Sequence, residues 1–538
     1  MPVLLRHLDR AVGMGMALAT ARKDRADARS GKGSARRGGE RLSRHARMTH
    51  PVSTLIEWLR EAGMDVEASG PNDTVIEALT FDSRCITAGT LFAALPGSRV
   101  DGHAFIEQAL AAKAAALLVQ SPPEDRGTAT LLHVKDTAKA LAQIAARFYG
   151  PLPKTLHGVT GTNGKTSVAH FVRLLKGENQ AVSIGTLGMI PDGLFDMPYL
   201  TSPDQIALAK GLAAAARSGR DYAVIEASSH GLDQGRLDGL ALDAAAFTNL
   251  SRDHLDYHAD MEDYWRAKRT LFTERLKPSG SVIVDERTAQ AAELASIGPS
   301  AFRLGGLDSP TADLGYAATP HPSGLAFRFR LAGQTHELAL PLYGTFQAEN
   351  IAVALGLAHV SGMVDLAQRL QDIDADALGV PGRMMPVVSH PSPPHGRVLV
   401  DYAHTPDALA TVLQAARPHC PGRLIVAFGA GGDRDPGKRV LMGEAAAKFS
   451  DLAIVTDDNP RTEDPAAIRR SIMKAVPDAL AFGDRREAIS AGIQAMQPGD
   501  LFIIAGKGHE TGQIIGHTTL PFDDAAQARR AAEHLWGA

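Results

Sequence analysis

The sequence has very few cysteines and no large excess of charge of either sign. Its 538 residues include two cysteines, Cys85 and Cys420, which lie far apart and match neither a metal-binding nor a redox spacing. We therefore predict a reduced protein that stays in the cytoplasm. The net charge of −4 gives no reason to expect nucleic acid as a partner. No apolar run reaches the length that spans a bilayer, so membrane insertion is not expected.

The length and composition indicate a globular protein with several domains. A chain of 538 residues is too long for one hydrophobic core, and contents of 44% hydrophobic and 22% charged residues are ordinary. Apolar runs alternate with helical stretches from residue 53 onward, which predicts an α/β fold. We place three α/β domains at residues 48–134, 135–380 and 381–538.

A glycine-rich loop at residues 158–167 predicts a site for nucleotide phosphates in the central domain. The loop follows an apolar run and opens an amphipathic helix, which is the context of a P-loop. Lys165 would reach the terminal phosphates of ATP, and the Thr166 hydroxyl would bind Mg²⁺. Val159 stands where the usual pattern begins with glycine, so the loop is a variant. The predicted ATP-binding residues of the loop are Gly161, Thr162, Asn163, Gly164, Lys165, Thr166 and Ser167.

The first 47 residues differ in composition from the rest of the chain. They carry ten Arg and two Lys against four acidic residues, a net charge of +8 that leaves −12 for the remainder. An apolar run at residues 11–20 resembles a secretory signal, but export would separate the protein from its ATP. We predict instead a basic disordered extension, or a true start at Met48.

Two further clusters of polar residues follow apolar runs in the central domain. Glu226 ends a predicted strand beside the P-loop, where a Mg²⁺ ligand or a water-positioning acid is expected. His254 and His258 are spaced to share one helix face, but no third Cys or His lies near them. We expect His254 to act singly, as a ligand or hydrogen-bond donor. From composition alone, we expect Lys268 to be a solvated helix residue. Polar and apolar residues alternate over residues 301–340, which predicts antiparallel hairpins.

The last domain is predicted to have a parallel, Rossmann-like sheet. Four short apolar runs, at residues 397–400, 423–426, 452–455 and 501–504, are separated by helical stretches and each ends in a polar cluster. Arg434 and Arg461 are suited to clamp carboxylates, and Asp458 and Glu510 could pair with an amine. This edge therefore suits an amino acid. ATP, a carboxylate and an amine together describe an amide ligase that works through an acyl phosphate.

Six motifs then resemble those of the Mur ligase family in order and spacing. They lie at residues 160–167, 226–232, 248–258, 343–350, 381–384 and 401–406. Residues 81–84 and 458–461 are similar to the members that add meso-diaminopimelate. The resemblance implies three α/β domains: a small N-terminal one, a central P-loop ATPase-type one and a C-terminal Rossmann-like one. It also implies Mg²⁺- and ATP-dependent addition of meso-diaminopimelate to the D-Glu γ-carboxylate of UDP-N-acetylmuramoyl-L-Ala-D-Glu, by a monomer that makes peptidoglycan precursors.

The resemblance also implies individual roles. It identifies Lys268 as a carbamylated lysine, in place of the solvated residue expected above. The implied catalytic residues are Lys165, Glu226, His254 and Lys268, and the implied Mg²⁺ site consists of Thr166, Glu226, His254 and Lys268. Further ATP contacts are Asn350, Arg383 and Asp401. The implied contacts of the UDP substrate are Phe81, Ser83, Ser98, Arg99, Val100, Thr201, Ser202, Ser228, Gln234 and Arg236. Those of diaminopimelate are Arg434, Asp458, Asn459, Pro460, Arg461, Gly506 and Glu510.

Three alternative functions stay open. A lysine-adding relative shares the fold, and Arg461 is the discriminator because a guanidinium can clamp the distal carboxylate that lysine lacks. A folylpolyglutamate synthase shares the ligase chemistry but lacks this first domain and the Asp-Asn-Pro-Arg cluster at residues 458–461. A nucleotide-binding protein without ligase activity would not need Lys165, Glu226, His254 and Lys268, and ADP release that depends on both substrates would refute it.

Overall fold

Three large β-sheets, each with helices packed on it, make up the chain in the computed structural model, which describes residues 48–97, 100–389 and 396–537. The predicted basic extension at residues 1–47 and the predicted contacts Ser98 and Arg99 lie outside the described residues. The sheets follow one another along the sequence, and each is built on a run of parallel strands. The predicted α/β class with three domains is confirmed.

The first sheet has five strands in the order β2-β7-β6-β5-β4, and a separate two-stranded sheet pairs β1 with β3. The strands are β1 His50–Pro51, β2 Val66–Ser69, β3 Val75–Ile76, β4 Ala78–Thr80, β5 Thr90–Ala93, β6 Ala116–Val119 and β7 Thr130–Val134. The α-helices are α1 Val52–Glu61, α2 Ile106–Ala111 and α3 Thr137–Phe148. Leu55 and Leu59 of α1 pack with Leu91 and Leu118 of the sheet.

The second sheet has ten strands in the order β10-β9-β11-β8-β12-β13-β14-β15-β16-β17, with the strand of the P-loop near its middle. The strands are β8 Thr155–Thr160, β9 Ala181–Gly185, β10 Gly188–Ile190, β11 Tyr222–Glu226, β12 Leu242–Phe247, β13 Leu276–Asp285, β14 Ser300–Gly306, β15 Leu314–His321, β16 Gly324–Leu331 and β17 Gln334–Leu340. The helices are α4 Lys165–Lys176, α5 Gln205–Arg217, α6 Ser229–Asp233, α7 Met261–Thr273, α8 Ala291–Ile297, α9 Phe346–Val360, α10 Leu366–Gln371 and α11 Ala375–Leu378.

The prediction of antiparallel hairpins over residues 301–340 is only partly right. β16 pairs antiparallel with both β15 and β17, but β14 pairs in parallel with both β13 and β15. The helix α8 between β13 and β14 explains the parallel pairing of these two strands, because a helical crossover returns the chain to the same end of the sheet. Alternation along a strand does not reveal the direction of its neighbour.

The third sheet has six strands in the order β18-β19-β23-β20-β21-β22 and contains all four predicted apolar runs as parallel strands. The strands are β18 Met385–Ser389, β19 Arg397–Asp401, β20 Leu424–Phe428, β21 Leu452–Val455, β22 Leu480–Ala481 and β23 Leu501–Ala505, followed by the hairpin β24 Gly512–Ile515 and β25 Thr518–Pro521. The helices are α12 Pro406–Ala416, α13 Gly437–Phe449, α14 Pro465–Met473, α15 Arg485–Ala495 and α16 Asp524–Trp536.

The predicted domain limits at residues 134 and 380 stay predictions. Ala140, Leu141 and Ile144 of α3 lie in the core of the first sheet, although α3 follows the first predicted limit. Across the described ranges, no helix combines the length and the apolar character needed to cross a bilayer. Cys85 is exposed, Cys420 is buried, and both are free thiols.

Two buried histidines make the stability of the central domain depend on pH. His157 in β8 is 1% exposed and shares a hydrogen bond between its Nδ1 and the Tyr222 hydroxyl (2.6 Å), while His170 in α4 donates from Nε2 to the Ala377 carbonyl (2.9 Å). Burial lowers the pKa of His157 to about 3 and the pKa of His170 to about 4. Unfolding returns both side chains to an ordinary pKa near 6.5.

We expect the free energy of unfolding to fall as the pH drops below about 6.5, because the unfolded chain then binds protons that the folded chain excludes. Each histidine costs about 2 kcal/mol at pH 5. Urea unfolding at pH 7 and pH 5 measures this difference. His157→Gln should reduce it by one histidine's share, whereas His359→Gln, at an exposed position, should leave it unchanged. The same pH dependence in all three proteins would contradict the assignment.

Candidate active site

The P-loop turns sharply between β8 and α4. Gly161 and Gly164 have φ angles of +146° and +89°, which side-chain-bearing residues rarely adopt. A Cβ at Gly164 would also collide with the Asn350 side chain of α9. The neighbouring strand end supports the loop, since Asn249 accepts a hydrogen bond from the backbone N–H of Thr162 (2.8 Å) and another from that of Asn163 (3.0 Å). The loop therefore has the compact form that a phosphate site requires.

Lys165 folds back over its own loop. Its Nζ donates to the carbonyls of Gly161 and Thr162, both at 2.9 Å. Burial lowers the pKa of Lys165, and the nearby Glu226 carboxylate partly opposes that shift. To reach a phosphate, the ammonium group must exchange these two carbonyls for phosphate oxygens.

Glu226 is a buried carboxylate directly beside the P-loop. It is 2% exposed, and its Oε2 accepts from the Thr166 hydroxyl (2.9 Å) while its Oε1 accepts from the Thr186 backbone N–H (2.9 Å). Burial raises the pKa of Glu226, although Lys165 counteracts the shift. A carboxylate and a hydroxyl thus lie together at the start of α4, as the sequence predicts for a site that binds a hard cation.

Lys268 is buried, contrary to the expectation from composition. It is 1% exposed, its Nζ donates to the Gly161 carbonyl (2.8 Å), and the same Nζ lies 4.4 Å from the centre of the Tyr264 ring. Burial lowers the pKa of Lys268 well below its ordinary value, and the charge of Lys165 lowers it further. The solvated reading was wrong because the helix α7 packs this face onto the P-loop. Two lysines therefore approach one carbonyl oxygen.

His254 and His258 do not share a helix face. They lie in an irregular segment that precedes α7, and His254 has a positive φ of +54°. The helix begins only at Met261, because the Asp260 side chain caps it by accepting from the Asp263 N–H (2.8 Å). Burial lowers the pKa of His254, and Lys165 and Lys268 contribute in the same direction. The His258 ring is 2% exposed and packs against Tyr264.

The residues predicted to contact the UDP substrate fall into two groups. The first group lies beside Glu226 and consists of Thr201, Ser202, Ser228, Gln234 and Arg236. The Ser202 hydroxyl donates to the Glu226 carbonyl (2.9 Å), and Arg236 donates to the Ser202 carbonyl (2.6 Å). Thr201 reaches them through a hydroxyl contact with Thr186 (3.1 Å), and Gln234 accepts from Arg236 (2.6 Å). The second group is on the first domain.

In that second group, Phe81 and Val100 are 41% and 57% exposed, and the Ser83 hydroxyl donates to Gln108 (2.9 Å). These side chains are accessible to a ligand. No hydrogen bond among the described residues joins Phe81, Ser83 or Val100 to the cluster beside Glu226.

Arg383 and Asp401 connect the last sheet to the P-loop domain. Asn350 donates to Gln347 (2.9 Å), which in turn donates to the Arg383 carbonyl (3.4 Å). Asp401 is 5% exposed and accepts from the backbone N–H groups of Met384 (2.7 Å) and Ala403 (2.8 Å). Burial raises the pKa of the Asp401 carboxyl, and Arg383 opposes that shift. The three predicted ATP contacts outside the P-loop are thus linked through Gln347 and a short backbone segment.

The predicted diaminopimelate residues gather at the carboxyl edge of the third sheet. Asn459 donates to Glu510 (3.1 Å), and Arg461 donates from Nη1 to the Gly432 carbonyl (2.7 Å). A Cβ at Gly431 would lie 3.0 Å from Arg461 and 3.8 Å from Arg434, so both arginines flank the same loop. Asp458 is 7% exposed, and its Oδ2 is buried without a hydrogen-bond partner. A Cβ at Gly506 would lie 2.6 Å from that oxygen. Pro460 lies between Asn459 and Arg461 in the same segment.

Three residues that sequence reasoning did not select contribute to these sites. Thr186 donates to both oxygens of Glu226, Asn249 supports the P-loop, and Lys507 contacts both Asn459 and Glu510. Asn249 lies inside the motif at residues 248–258, and Lys507 lies between the predicted contacts Gly506 and Glu510, but the sequence does not reveal where either side chain points. Thr186 belongs to an unmarked turn between β9 and β10.

The side chains beside the P-loop fit Mg²⁺ in donor type but do not form a complete ligand set. Thr166 and Glu226 offer the hard oxygens that this ion prefers. In the described part of the chain, no group of three His, Cys, Asp or Glu residues could hold a metal ion. A bound cation would therefore need further oxygen ligands, from ATP phosphates, water or a modified Lys268.

Comparison with known proteins gives matches along most of the chain. Residues 75–149 match the family described as "Mur ligase family, catalytic domain", residues 159–358 match the "Mur ligase middle domain", and residues 382–508 match the "Mur ligase, glutamate ligase domain". Together these matches cover more than half of the sequence.

Individual proteins are similar over nearly their full length. The UDP-N-acetylmuramoyl-L-alanyl-D-glutamate–2,6-diaminopimelate ligase of Caulobacter vibrioides is 46% identical over 474 residues, which is 86% of this chain and 96% of that protein. A solved structure of a ligase with the same name is 32% identical, with a TM-score of 0.64 over 90% of this chain and 99% of that one. A folylpolyglutamate synthase of Mycobacterium tuberculosis is 19% identical, with a TM-score of 0.51 over 74% of this chain and 96% of that one, which shows the fold alone.

Proposed function

The chain belongs to the Mur ligase family, and we propose that it adds meso-diaminopimelate to the D-Glu γ-carboxylate of UDP-N-acetylmuramoyl-L-Ala-D-Glu at the expense of ATP. The product is a peptidoglycan precursor, made in the cytoplasm by a monomeric enzyme. The observation that carries the choice of amino acid is Arg461, which shares the segment at the edge of the third sheet with Asn459, the partner of Glu510, and with Asp458, whose Oδ2 is buried without a hydrogen-bond partner.

The first half of the reaction uses the P-loop. The γ-carboxylate attacks the terminal phosphorus of ATP, the bond to the β-phosphate oxygen breaks, and an acyl phosphate and ADP form. Lys165 leaves the carbonyls of Gly161 and Thr162 and neutralises charge on the transferred phosphoryl group. Asn350, Arg383 and Asp401 hold ATP between the central and last domains.

The second half of the reaction uses the edge of the third sheet. The amine of diaminopimelate, having lost its proton, attacks the acyl carbon, phosphate leaves, and an amide bond forms. Glu510 and Asp458 hold the ammonium group that does not react, and Arg434 and Arg461 hold carboxylates. The UDP substrate is held by its predicted contacts, which are Phe81, Ser83, Ser98, Arg99, Val100, Thr201, Ser202, Ser228, Gln234 and Arg236.

The state of Lys268 supports the same chemistry. Burial lowers the pKa of Lys268, so this side chain gives up its proton more readily than an exposed lysine; the neutral amine then attacks CO₂ and loses a proton to give a carbamate. This modification replaces a cation with an anion beside Lys165, which relieves the repulsion between the two ammonium groups. The carbamate, Thr166, Glu226 and His254 would hold Mg²⁺, which when bound offsets the negative charge of the phosphates.

The experiment that tests the proposal supplies ATP and UDP-N-acetylmuramoyl-L-Ala-D-Glu with either meso-diaminopimelate or L-lysine. We expect ADP release that requires all substrates, and a product heavier by diaminopimelate less water in mass spectrometry. Lysine should react at least about tenfold less efficiently, because it has no second carboxylate for Arg461.

The other candidates predict different results in the same assay. Equal or better use of lysine would identify the lysine-adding activity. ADP release with a folate and glutamate, but not with the UDP substrate, would identify the synthase activity. No ADP release under any condition would leave a nucleotide-binding protein.

A further inference from the structure

We propose that Lys507 and the hairpin β24–β25 are positioning elements of the amino-acid site, and that they set the orientation of Asn459 and Arg461 for a ligand with two carboxylates and an ammonium group. The inference rests on the proposed function and adds residues that the sequence did not single out. Its basis is a set of hydrogen bonds between the segment from Asp458 to Arg461 and two neighbours, which are Lys507 and the hairpin.

The side-chain amide of Asn459 has one orientation. Its Oδ1 accepts from the Lys507 ammonium (2.9 Å) and from the backbone N–H of Ile514 (2.9 Å). An oxygen that faces two donors leaves the amide nitrogen pointing the other way, where it donates to Glu510 Oε2 (3.1 Å). Lys507 and the hairpin together therefore fix which end of Asn459 faces Glu510.

Lys507 is fully buried and cannot itself touch a substrate. Its exposed fraction is 0%, and its Nζ also lies 3.3 Å from Glu510 Oε2. The same carboxylate oxygen thus receives both Asn459 and Lys507, which leaves Oε1 without a protein hydrogen bond among the described residues. That oxygen is the one free to accept from the ammonium group of an amino acid.

The hairpin fixes the backbone on both sides of the Arg461 side chain. The Arg461 N–H donates to the Ile514 carbonyl (3.1 Å), and the Gly516 N–H donates to the Arg461 carbonyl (2.7 Å). Arg461 has a φ of +52°, a left-handed conformation that costs a non-glycine residue roughly 1 kcal/mol. The two hydrogen bonds hold the residue in this conformation.

Gln513 extends the same support to Asp458. Its side-chain amide donates to the Asp458 carbonyl (2.8 Å), and Gln513 is 9% exposed. The hydrogen bonds from the hairpin reach the segment through its backbone or through Asn459, so the hairpin does not engage the side chains of Asp458 and Arg461. The hairpin therefore acts on the ligand through these residues.

The test compares Lys507→Met and Gln513→Leu with the control Thr518→Ala, an exposed hairpin position with no side-chain hydrogen bond to the segment. We expect each of the first two changes to raise the KM for meso-diaminopimelate about tenfold or more, which corresponds to one lost hydrogen bond to a charged or buried group. The KM for ATP and kcat should change less than about twofold, because the P-loop is untouched. Thermal melting verifies that each variant folds.

Amide hydrogen exchange provides a readout that needs no activity. Exchange at the backbone N–H groups of Arg461 and Gly516 should become faster in both variants and stay unchanged in Thr518→Ala. If the wild type uses no diaminopimelate, the proposed function fails, and exchange alone decides whether the hairpin holds the segment. Unchanged exchange overturns the inference. Faster exchange with an unchanged KM in an active enzyme also overturns it, because the support would then not serve the ligand.

Discussion

Lys268→Ala is expected to lower kcat by about 10²-fold or more while the protein keeps its fold. The reason is the buried position of this side chain, which donates to the Gly161 carbonyl of the P-loop (2.8 Å). If Lys268 carries a carbamate, alanine removes one anionic oxygen ligand from the place where charge develops on the phosphoryl group, and such a loss is worth about 3 kcal/mol or more. Steady-state kinetics with all three substrates measures the effect.

The control for this prediction is Arg269→Ala on the same helix. Arg269 is half exposed and pairs with Glu293, so its loss should change kcat less than about twofold. A short carboxylate such as formate should restore part of the activity of Lys268→Ala, because it can occupy the space left by the carbamate. Nuclear magnetic resonance of the wild type in ¹³CO₂ should give a carbamate signal that the variant lacks. Full activity in Lys268→Ala would refute the role.

Arg461→Lys is expected to raise the KM for meso-diaminopimelate about thirtyfold and leave the KM for ATP unchanged. A guanidinium engages a carboxylate through two parallel hydrogen bonds, and an ammonium group supplies a single point charge, a difference of about 2 kcal/mol. The backbone of Arg461 is held by Ile514 and Gly516, so the substitution changes the side chain and keeps the segment in place.

A matched control is Arg470→Lys, at an exposed arginine of α14 that pairs with Asp464. It should leave every kinetic constant unchanged. The lysine substrate provides the second comparison: its use should be nearly the same in the wild type and in Arg461→Lys, since lysine has no distal carboxylate for this side chain. An unchanged KM for meso-diaminopimelate in Arg461→Lys would assign the carboxylate to another residue, with Arg434 as the next candidate.

Much of the architecture and of the family assignment was predictable from the sequence. The P-loop, the strand that ends at Glu226 and the four parallel strands of the last sheet are local patterns, because apolar runs and glycine turns reflect burial and backbone geometry over a few residues. The Mur ligase resemblance rests on the order of such motifs, and it is confirmed. The individual roles of the predicted site residues stay predictions.

The α/β class, the P-loop and the polar clusters at the strand ends follow from the order of the amino acids, since each is encoded within a short stretch of chain. The folded chain was needed to see that Lys268 is buried against Gly161, that His254 precedes the helix α7, and that Lys507 supports Asn459. These three features have a common cause. Burial and hydrogen-bond direction depend on residues distant along the chain, and a lysine in a helical pattern has the same sequence signature in water as in a core.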